Sequence, residues 1–557
     1  MKIKLLLLLS FYPLLTQSQD ILWEKSYGGK HSDYLFDALP TADYGFILAG
    51  SSLSDKTGNK TDTNNGDLDY WVWKMDEKGD LDWQKSLGGS GFDLLQSIKT
   101  TRDGGFILAG TSNSPSNLKE GTGNKKADCK GITDFWVIKL NAKGDEQWQA
   151  TIGGSGQDEL VCAFQTKDGG YMLGGSSNSS LNPKSGVEQK GAMESKPDLT
   201  NKSEKCRGNM DYWIVKIDNT GKVQWQKTFG GESADVLRSM EQTNDGGYIM
   251  GGYSNSPKSG DKTDANSGMG DYWIIKINDT GDIEWQKTYG GNGDNQLYVI
   301  HQIEDGGGYV IGGNSNSTSP LTSLGGTVGN GTDYWVLKID AIGDVVWSRT
   351  YDFGKVDILT SLIENKDHTF LIGGYAQSEN TSPPRGGLQV MKMNADKEGI
   401  NDYIALKIND SGEEIWKKTI GSGGEDILRR LIETRDGGYL LAGTSNSNSS
   451  RDKNSNIGNN DFWVVKLKDK IKPEEIKASV EAIPNPAKSF TNIIIGYDFE
   501  YGTATLVDIS GRTLQRFDIH SRTVPIDLSP YPHGVYVVNI KTNVQTDGVK
   551  VIKSGEH

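Results

Sequence analysis

The stretch that decides the fold is Asp134-Phe135-Trp136-Val137-Ile138-Lys139-Leu140, which a turn at Lys143-Gly144-Asp145 joins to Gln147-Trp148. Aromatic and β-branched residues on either side of a short turn containing glycine predict two antiparallel strands. The same unit recurs along the chain, so internal repetition is the main signal in the sequence. The other copies begin at Asp69, Asp211, Asp271, Asp333 and Asp402, and a half-copy spans residues 461–466.

A second repeated unit consists of Asp103-Gly104-Gly105 and the apolar run that begins at Phe106. Asp-Gly-Gly predicts a tight hairpin, because glycine adopts a positive φ at little cost. Each repeat thus contains four short strands, which we call a, b, c and d. Seven copies of each unit predict an all-β fold, a seven-bladed β-propeller with four-stranded blades. Related copies of the second unit begin at Asp43, Asp168, Asp245, Asp305, Asp367 and Asp436.

The two ends of the repeat region complement each other. Residues 20–28 resemble a strand d, whereas the last repeat ends near Leu467, directly after its strand c. The N-terminal strand is therefore predicted to complete the last blade, which removes an exposed edge. A linear solenoid is the alternative, and it gives no reason for such matching ends.

Two known propeller families have similar repeats. The strand c, turn and strand d unit with its tryptophan, as in Trp136, distantly resembles the repeats of quinoprotein-like propellers, and Gly246-Gly247-Tyr248-Ile249 is similar to a kelch unit. The resemblance implies the propeller fold. The radial set of quinone-binding residues is not found in the sequence, so no such cofactor is predicted.

The N-terminus has the pattern of a secretory signal peptide. Lys2 and Lys4 precede an apolar run over residues 5–15, and polar residues follow as far as Ser18. This order predicts a signal peptide over residues 1–18. The apolar run is shorter than the ~20 residues that span a bilayer, and no other stretch reaches that length, so no membrane span is predicted.

The C-terminal residues carry four short motifs in order: Pro484-Asn485-Pro486, Asp508 before Gly511-Arg512, Gly534-Val535-Tyr536, and Lys550-Val551-Ile552-Lys553. This order resembles the type A C-terminal sorting domain of type IX secretion substrates from Bacteroidetes. The resemblance implies export across both membranes, the secretion machinery and its sorting peptidase as partners, removal of the domain, and a product that is secreted or attached to the cell surface. The predicted domains are a signal peptide (1–18), the propeller (19–467), a linker (468–480) and a sorting domain, a small β-sandwich (481–557).

Composition excludes several classes of function. A net charge of −14 without a basic run argues against binding of nucleic acid or of anionic membrane surfaces. The six histidines are scattered, and the three cysteines lack the spacing of a metal site. The sequence has no Gly-x-Ser-x-Gly elbow, His-Glu-x-x-His motif or phosphate loop, so no catalytic residue is predicted.

An acidic residue opens strand a in nearly every repeat. Strand a is innermost in a propeller, so these side chains are predicted to ring one mouth of the central channel and to bind a cation or a polar ligand. The alternative is a structural role, in which each carboxylate accepts backbone N–H groups of the neighbouring turn. The set is Asp33, Asp93, Asp158, Asp235, Asn295, Asp357 and Asp426.

The b–c loops differ most between repeats, and the third, at about 176–210, is the longest. Function concentrates in variable loops on a rigid scaffold, so the ligand is predicted to bind on the face that carries the b–c loops. One of these loops has the oxygen density of a calcium site without EF-hand spacing, and a solvated loop is the alternative. The calcium candidates are Asp261, Asp264 and Asn266.

Two further features break the regularity of the repeats. Cys129 and Cys206 each precede an aspartate of strand c by five residues in adjacent repeats, and an exported chain permits a disulfide between them. Before the sixth repeat, Tyr351-Asp352-Phe353-Gly354 replaces the usual Gly-Gly. The third and sixth blades are therefore predicted to lie nearest the ligand.

Together these features predict a secreted or surface-attached binding module for a polysaccharide, a surface protein or a matrix component. One alternative is a hydrolase or lyase that acts on glycans at the channel mouth. Another is a structural or adhesion component without a discrete ligand. The near-regular repeats favour binding or structural roles, because an active site usually breaks the symmetry at particular blades.

Overall fold

The computed structural model describes residues 19–117, 123–180, 200–304, 306–318, 331–377, 401–469 and 479–555. The predicted signal peptide, most of the third b–c loop and most of the predicted linker lie outside these residues. Among the described residues, no helix has the length and apolar character that crossing a bilayer requires.

The repeat region is all-β. Its strands are β1 (Asp20–Tyr27), β2 (Asp33–Pro40), β3 (Phe46–Ser52), β4 (Asp69–Met75), β5 (Leu81–Leu87), β6 (Asp93–Thr100), β7 (Phe106–Ser112), β8 (Asp134–Leu140), β9 (Glu146–Ile152), β10 (Asp158–Gln165), β11 (Tyr171–Ser177), β12 (Asp211–Ile217), β13 (Val223–Phe229), β14 (Asp235–Gln242), β15 (Tyr248–Ser254), β16 (Asp271–Ile277), β17 (Ile283–Tyr289), β18 (Asn295–Gln302), β19 (Tyr309–Ser315), β20 (Asp333–Ile339), β21 (Val345–Tyr351), β22 (Asp357–Glu364), β23 (Phe370–Gln377), β24 (Asn401–Ile408), β25 (Glu414–Ile420), β26 (Asp426–Glu433), β27 (Tyr439–Ser445) and β28 (Asp461–Lys468).

These strands form seven four-stranded antiparallel sheets. Sheet 1 contains β2 to β5. The next five sheets each contain four consecutive strands: β6 to β9 in sheet 2, β10 to β13 in sheet 3, β14 to β17 in sheet 4, β18 to β21 in sheet 5, and β22 to β25 in sheet 6. Sheet 7 contains β26, β27 and β28, and its fourth strand is β1, which pairs with β28 from Asp20 opposite Lys468 to Tyr27 opposite Phe462. The first strand of the region therefore supplies strand d of the last sheet.

Neighbouring sheets pack face to face through aromatic residues of strand c. Tyr70 in sheet 1 lies 4.7 Å from Trp136 in sheet 2, measured between ring centroids, and Tyr272 in sheet 4 lies 4.8 Å from Trp335 in sheet 5. Phe462 in sheet 7 makes the same contact with Trp71 in sheet 1, at 4.7 Å. Strands b and c are buried along their whole length in sheets 1 and 2, as strands covered on both faces require.

The repeated polar residues hold the turns of each sheet. Lys139 Nζ of strand c forms an ion pair with Asp103 Oδ2 of the a–b turn at 2.9 Å, and Lys74 pairs with Asp43 in the same way. Gly104 in the a–b turn has a φ of 81°, which glycine adopts readily. Strand a of each sheet contacts strand a of the next, and that of sheet 7 contacts that of sheet 1.

The C-terminal region forms two further sheets around a separate apolar core that includes Ile493, Leu506 and Val538. One sheet pairs strands in the order β29, β30, β33, and the other in the order β32, β31, β34, β35. The strands are β29 (Val480–Ile483), β30 (Phe490–Ile495), β31 (Gly502–Asp508), β32 (Thr513–Ile519), β33 (Thr523–Asp527), β34 (Gly534–Thr542) and β35 (Thr546–Lys553).

The C-terminal region contacts the short turns of sheets 1 and 7. Arg522 Nη1 lies 2.8 Å from Glu77 Oε1 in the c–d turn of sheet 1, and Thr523 Oγ1 donates to Asp43 at 2.8 Å. Arg435 in the a–b turn of sheet 7 pairs with Glu481 at 2.9 Å. The b–c loops leave the strands at the opposite end.

Candidate ligand-binding site

The side chains that open strand a are fully buried. Asp93 shows the arrangement: its Oδ2 accepts hydrogen bonds from the backbone N of Gly89 and from Ser114 Oγ, both at 2.8 Å. The carboxylate thus ties the d–a turn to the b–c loop. The seven residues of the predicted channel-mouth ring share this burial: Asp33, Asp93, Asp158, Asp235, Asn295, Asp357 and Asp426 are all 0 % exposed.

Each of these side chains lies beside the aspartate that opens strand c of the preceding sheet. At the junction of sheets 1 and 2, Gly88 lies against both Asp69 and Asp93, so that a Cβ at this position would collide with Asp69. Burial, together with the charge of Asp93, raises the pKa of Asp69 to about 7, and burial raises the pKa of Asp93 to about 6. Such a pair holds a proton near neutral pH.

Asn295 takes the place of the strand a aspartate in sheet 5. Its Nδ2 donates to Asp271 Oδ1 at 3.1 Å, and its Oδ1 accepts from Ser315 Oγ at 2.6 Å and from Ser317 Oγ at 3.0 Å. The amide of Asn295 is therefore a hydrogen-bond donor at every pH. A pair of carboxyl groups has a donor between its members only while one of them is protonated. These contacts agree with the structural alternative for the repeated acid, in which the side chain holds the neighbouring turn and loop.

In every sheet the β-bulge residue of strand a is accessible. In every sheet the register between strands a and b shifts after the buried leucine of strand a, which leaves one residue without a partner. A bulge re-aims a side chain and is frequent beside functional sites. The seven bulge residues are partly or fully exposed and differ between sheets: Phe36, Gln96, Val161, Arg238, Tyr298, Thr360 and Arg429.

Two arginines among the bulge residues lie over aromatic rings of the next sheet. The guanidinium of Arg238 is 5.6 Å from the ring centroid of Tyr298, and that of Arg429 is 5.5 Å from the ring centroid of Phe36. Burial lowers the pKa of Arg429. Two of the seven bulge residues are therefore basic, and each lies over an aromatic bulge residue of the next sheet. Sequence analysis missed these residues, because their only signal is that they vary at a fixed position of a repeated strand.

The loop with the predicted calcium ligands already contains a cation of the protein. Lys262 is buried, and its Nζ donates to Ser254 Oγ at 2.9 Å, to Ser256 O at 3.0 Å and to Asn266 Oδ1. Asp261 forms an ion pair with Arg207 at 2.8 Å. The candidates Asp261 and Asn266 are therefore engaged by basic side chains, and Asp264 is exposed.

The three cysteines are free thiols. Cys129 Sγ donates to Ser112 O at 3.0 Å, and Cys206 Sγ donates to Ser177 O at 2.9 Å. Each thiol thus faces the end of strand b in its own sheet. The predicted disulfide between Cys129 and Cys206 is absent from the structure, because equivalent positions in adjacent sheets point to their own strands.

A histidine lies between two carboxylates near the other end of strand a. His301 Nδ1 is 3.4 Å from Glu241 Oε1, and His301 Nε2 is 3.5 Å from Glu364 Oε2. Although burial opposes the charge, the two glutamates raise the pKa of His301. Glu364 also accepts the backbone N–H of Glu304 at 2.9 Å, so the cluster joins strands of sheets 4, 5 and 6.

Residues 481–554 match the family model of the secretion system C-terminal sorting domain. This confirms the resemblance stated from the sequence motifs. The sorting domain indicates secretion by the type IX system to the cell surface or the extracellular space. The chain is therefore a type IX secretion substrate with a β-propeller-like fold.

Regulatory protein FlaEY from Caulobacter vibrioides is 30 % identical to this chain over 154 residues, which are 27 % of this chain and 16 % of that protein. Among solved structures, PorZ, a surface component of the type IX secretion system of Porphyromonas gingivalis, is 10 % identical, with a TM-score of 0.24 over 98 % of this chain and 88 % of that one. A puromycin hydrolase is 8 % identical, with a TM-score of 0.42 over 84 % of this chain and 59 % of that one. At these TM-scores neither structure bears on the function of this chain.

Proposed function

We propose that the seven sheets are the blades of a closed seven-bladed β-propeller. Two observations support closure: β1 pairs with β28, and strand a of sheet 7 contacts strand a of sheet 1. The proposed domains are the signal peptide (1–18), the propeller (19–467), a linker (468–480) and the sorting domain (481–557). The mature product is then the propeller, either released or attached to the cell surface after the sorting domain is removed.

The proposed function of the propeller is binding of an extracellular polymer that carries anionic groups, such as an acidic polysaccharide. The observation that carries this proposal is the pair of arginines at the β-bulges, Arg238 over Tyr298 and Arg429 over Phe36. Guanidinium groups bind carboxylate and sulfate oxygens in a fork geometry, and aromatic rings hold the guanidinium plane in place. The b–c loops would add contacts around this inner edge.

The experiment measures binding of the chain without its signal peptide to an array of neutral and acidic glycans. We expect saturable binding to acidic glycans, and we expect Arg238→Gln together with Arg429→Gln to weaken it at least ~10-fold, since each charged hydrogen bond contributes about 1.5–3 kcal/mol. Lys143→Gln, an exposed residue of the opposite face, is the matched control and should bind normally.

The rival functions have different outcomes in the same assay. Release of shortened glycans would indicate a hydrolase or lyase. Absence of saturable binding to every glycan on the array would favour a structural or adhesion component. Equal loss of binding in the Lys143→Gln variant would contradict a site at the inner edge.

A further inference from the structure

A small polar residue near the end of strand b joins each of five sheets to the next one. Its side chain accepts the backbone N–H of the buried leucine in strand a of the next sheet, as Ser176 Oγ accepts from Leu237 N at 2.8 Å. A buried backbone N–H needs such a partner, so this bond is part of the structural repeat. The five acceptors, all buried, are Ser51, Thr111, Ser176, Asn314 and Thr444.

Tyrosine replaces this residue in sheets 4 and 6. Tyr253 and Tyr375 occupy the same register position as the five polar residues. A tyrosine has no acceptor close to its Cβ, so neither side chain can make the repeated bond to the leucine of the next sheet, Leu297 or Leu428. Both tyrosines are partly exposed. Sheets 4 and 6 therefore have an accessible aromatic ring in place of a structural hydrogen bond.

The two tyrosine rings have different surroundings. Tyr253 packs on Gly270, directly before strand c of its own sheet, where a Cβ would collide with the ring. The other six sheets have a residue with a side chain at the position of Gly270, and in sheet 6 this residue is Asn401. Tyr375 therefore has no room to lie against its own sheet as Tyr253 does.

Tyr375 lies beside Arg429, the bulge residue of sheet 7. In the repeat, the side chain at the position of Tyr375 reaches the leucine of strand a in the next sheet, and Leu428 directly precedes Arg429. Burial raises the pKa of Tyr375, and the nearby charge of Arg429 opposes this rise. The guanidinium of Arg429 also lies 5.5 Å from the ring centroid of Phe36. Aromatic residues of sheets 6 and 1 thus flank this arginine.

The charge of Arg429 has no counterion among the described residues, whereas its neighbour Arg430 pairs with Asp37 at 2.6 Å. Burial lowers the pKa of Arg429, and the groups that oppose this effect are phenols, first those of Tyr375 and Tyr298. Phenols are uncharged at neutral pH. A partly buried guanidinium in such surroundings is stabilised by an external anion.

We propose that Tyr375 and Arg429 form one subsite for an anionic sugar residue, in which the sugar ring packs on Tyr375 and its carboxylate or sulfate group binds Arg429. This inference rests on the proposed function and names the unit of the polymer that is recognised. The face of an aromatic ring carries partial negative charge, so it packs well against the polarised C–H groups of a sugar. The planar guanidinium offers paired N–H donors to the oxygens of one anionic group.

The test measures, by isothermal titration calorimetry, the affinity of residues 19–557 for galacturonate oligomers, sulfated galactan oligomers and neutral galactan oligomers. We expect saturable binding of an acidic probe, and the probe that binds identifies the anionic group. Tyr375→Ser should weaken this binding at least ~5-fold, because the stacking surface is lost. Its Tm should stay within ~2 °C of wild type, because the serine hydroxyl restores the acceptor for the backbone N–H of Leu428.

Tyr375→Phe keeps the ring and should bind within ~2-fold of wild type. Tyr253→Ser is the matched control, since its ring packs on Gly270, and it should keep the full affinity. A larger fall in Tm together with weaker binding in Tyr375→Ser would indicate a structural role and overturn the subsite. An equal loss of affinity in Tyr375→Phe would overturn the stacking.

The proposed function and the subsite fail in different ways. If Arg238→Gln together with Arg429→Gln weakens binding but Tyr375→Ser binds like wild type, the subsite is overturned and the proposed function stands. If neither acidic probe binds to the wild-type chain, the proposed function fails and the subsite fails with it.

Discussion

Arg430 Nε donates to Asp37 Oδ1 at 2.6 Å and thereby joins strand a of sheet 7 to strand a of sheet 1. Asp37 is fully buried, and its Oδ2 accepts the backbone N of Ile98 in sheet 2 at 2.9 Å. Burial alone would raise the pKa of Asp37, but the charges of Arg430 and Lys99 lower it. In sheets 2, 4 and 6 a serine occupies the position of Asp37. In sheet 1 a carboxylate therefore replaces the serine hydroxyl, at the place where the two ends of the repeat region meet.

Arg430→Gln should destabilise the chain, because it leaves the buried carboxylate of Asp37 with one cationic neighbour among the described residues, Lys99 at 3.4 Å. We expect a loss of about 2 kcal/mol in urea unfolding at pH 7.5, below the ~3–5 kcal/mol of a fully buried pair, since the Arg430 side chain is 31 % exposed. Adding Asp37→Ser, the residue of sheet 2, should recover part of this loss. Unchanged stability of Arg430→Gln would contradict a role in joining the sheets.

The pKa values of the aspartate pairs predict how stability depends on pH. Because Asp69 and Asp93 have pKa values raised to about 7 and about 6, the folded state binds more protons than the unfolded state between about pH 4 and 7. Their contribution is therefore fully present below about pH 4 and is lost as pH rises through 6 to 7. Lys60 and Lys125, which lie near Asp69 and Asp93, moderate this loss.

Asp93→Asn should stabilise the chain at pH 8 by about 1 kcal/mol, because the amide donates to Asp69 as Asn295 donates to Asp271. The gain should shrink at pH 5, where the wild-type pair holds its proton. The reverse variant, Asn295→Asp, should lose stability at pH 8. The midpoint of urea unfolding at both pH values measures these differences, and a gain for Asn295→Asp at pH 8 would refute the shared proton.

Deletion of residues 19–27 should expose the edge of β28 and remove the hydrogen bond from Trp463 Nε1 to Glu24 Oε2, which is 2.8 Å long. An unpaired edge strand invites pairing with another chain, so we expect aggregation or a loss of cooperative unfolding by calorimetry. Glu24→Gln is the control, since it keeps the strand and changes one charge. If the deletion variant unfolded like wild type, β1 would not complete sheet 7.

The mature protein should lack residues 1–18 and the region from about Ile483 onward. Intact-mass measurement on protein from the cell surface or the medium checks both ends. The reason is the match of residues 481–554 to the sorting domain. A mature form that still carries residues 549–553 would contradict attachment through removal of the domain.

The sequence predicted the strands and their order well, because turns such as Asp103-Gly104-Gly105 and the alternation in strand c are local signals. It identified Asp93 as a repeated acid but not the direction of its side chain. Both faces of these sheets are covered by neighbouring sheets. The alternation of apolar and polar residues along strand a therefore does not show which side chains lie between sheets and which lie at the inner edge. The bulge that exposes Arg238 depends on register between strands, which local patterns do not reveal.

The calcium site at Asp261, Asp264 and Asn266 stays a prediction, and the contacts of its loop could not be read from the sequence for a similar reason. Acidic residues near Asp261 suggested an ion, but whether Lys262 turns into the loop or toward solvent depends on the fold. Asp352 was visible as an irregularity of the sequence. Its position beside Asp333 and Asp357 depends on how sheets 5 and 6 pack. That packing places strand c of one repeat beside strand a of the next, which local sequence patterns do not reveal.

Because β1 pairs with β28, sheet 7 can be completed only in a chain that contains the whole repeat region. The ribosome makes β1 first and β28 last among the strands of the repeat region, so the last sheet cannot be completed until the whole region has been synthesised. A chain cut short by premature termination keeps two unpaired edges, one at β1 and one at its broken end, and such edges attract aggregation and proteolysis. Only a chain that contains the whole repeat region can pair both edges, and the type IX sorting domain lies C-terminal to the strand that completes this region.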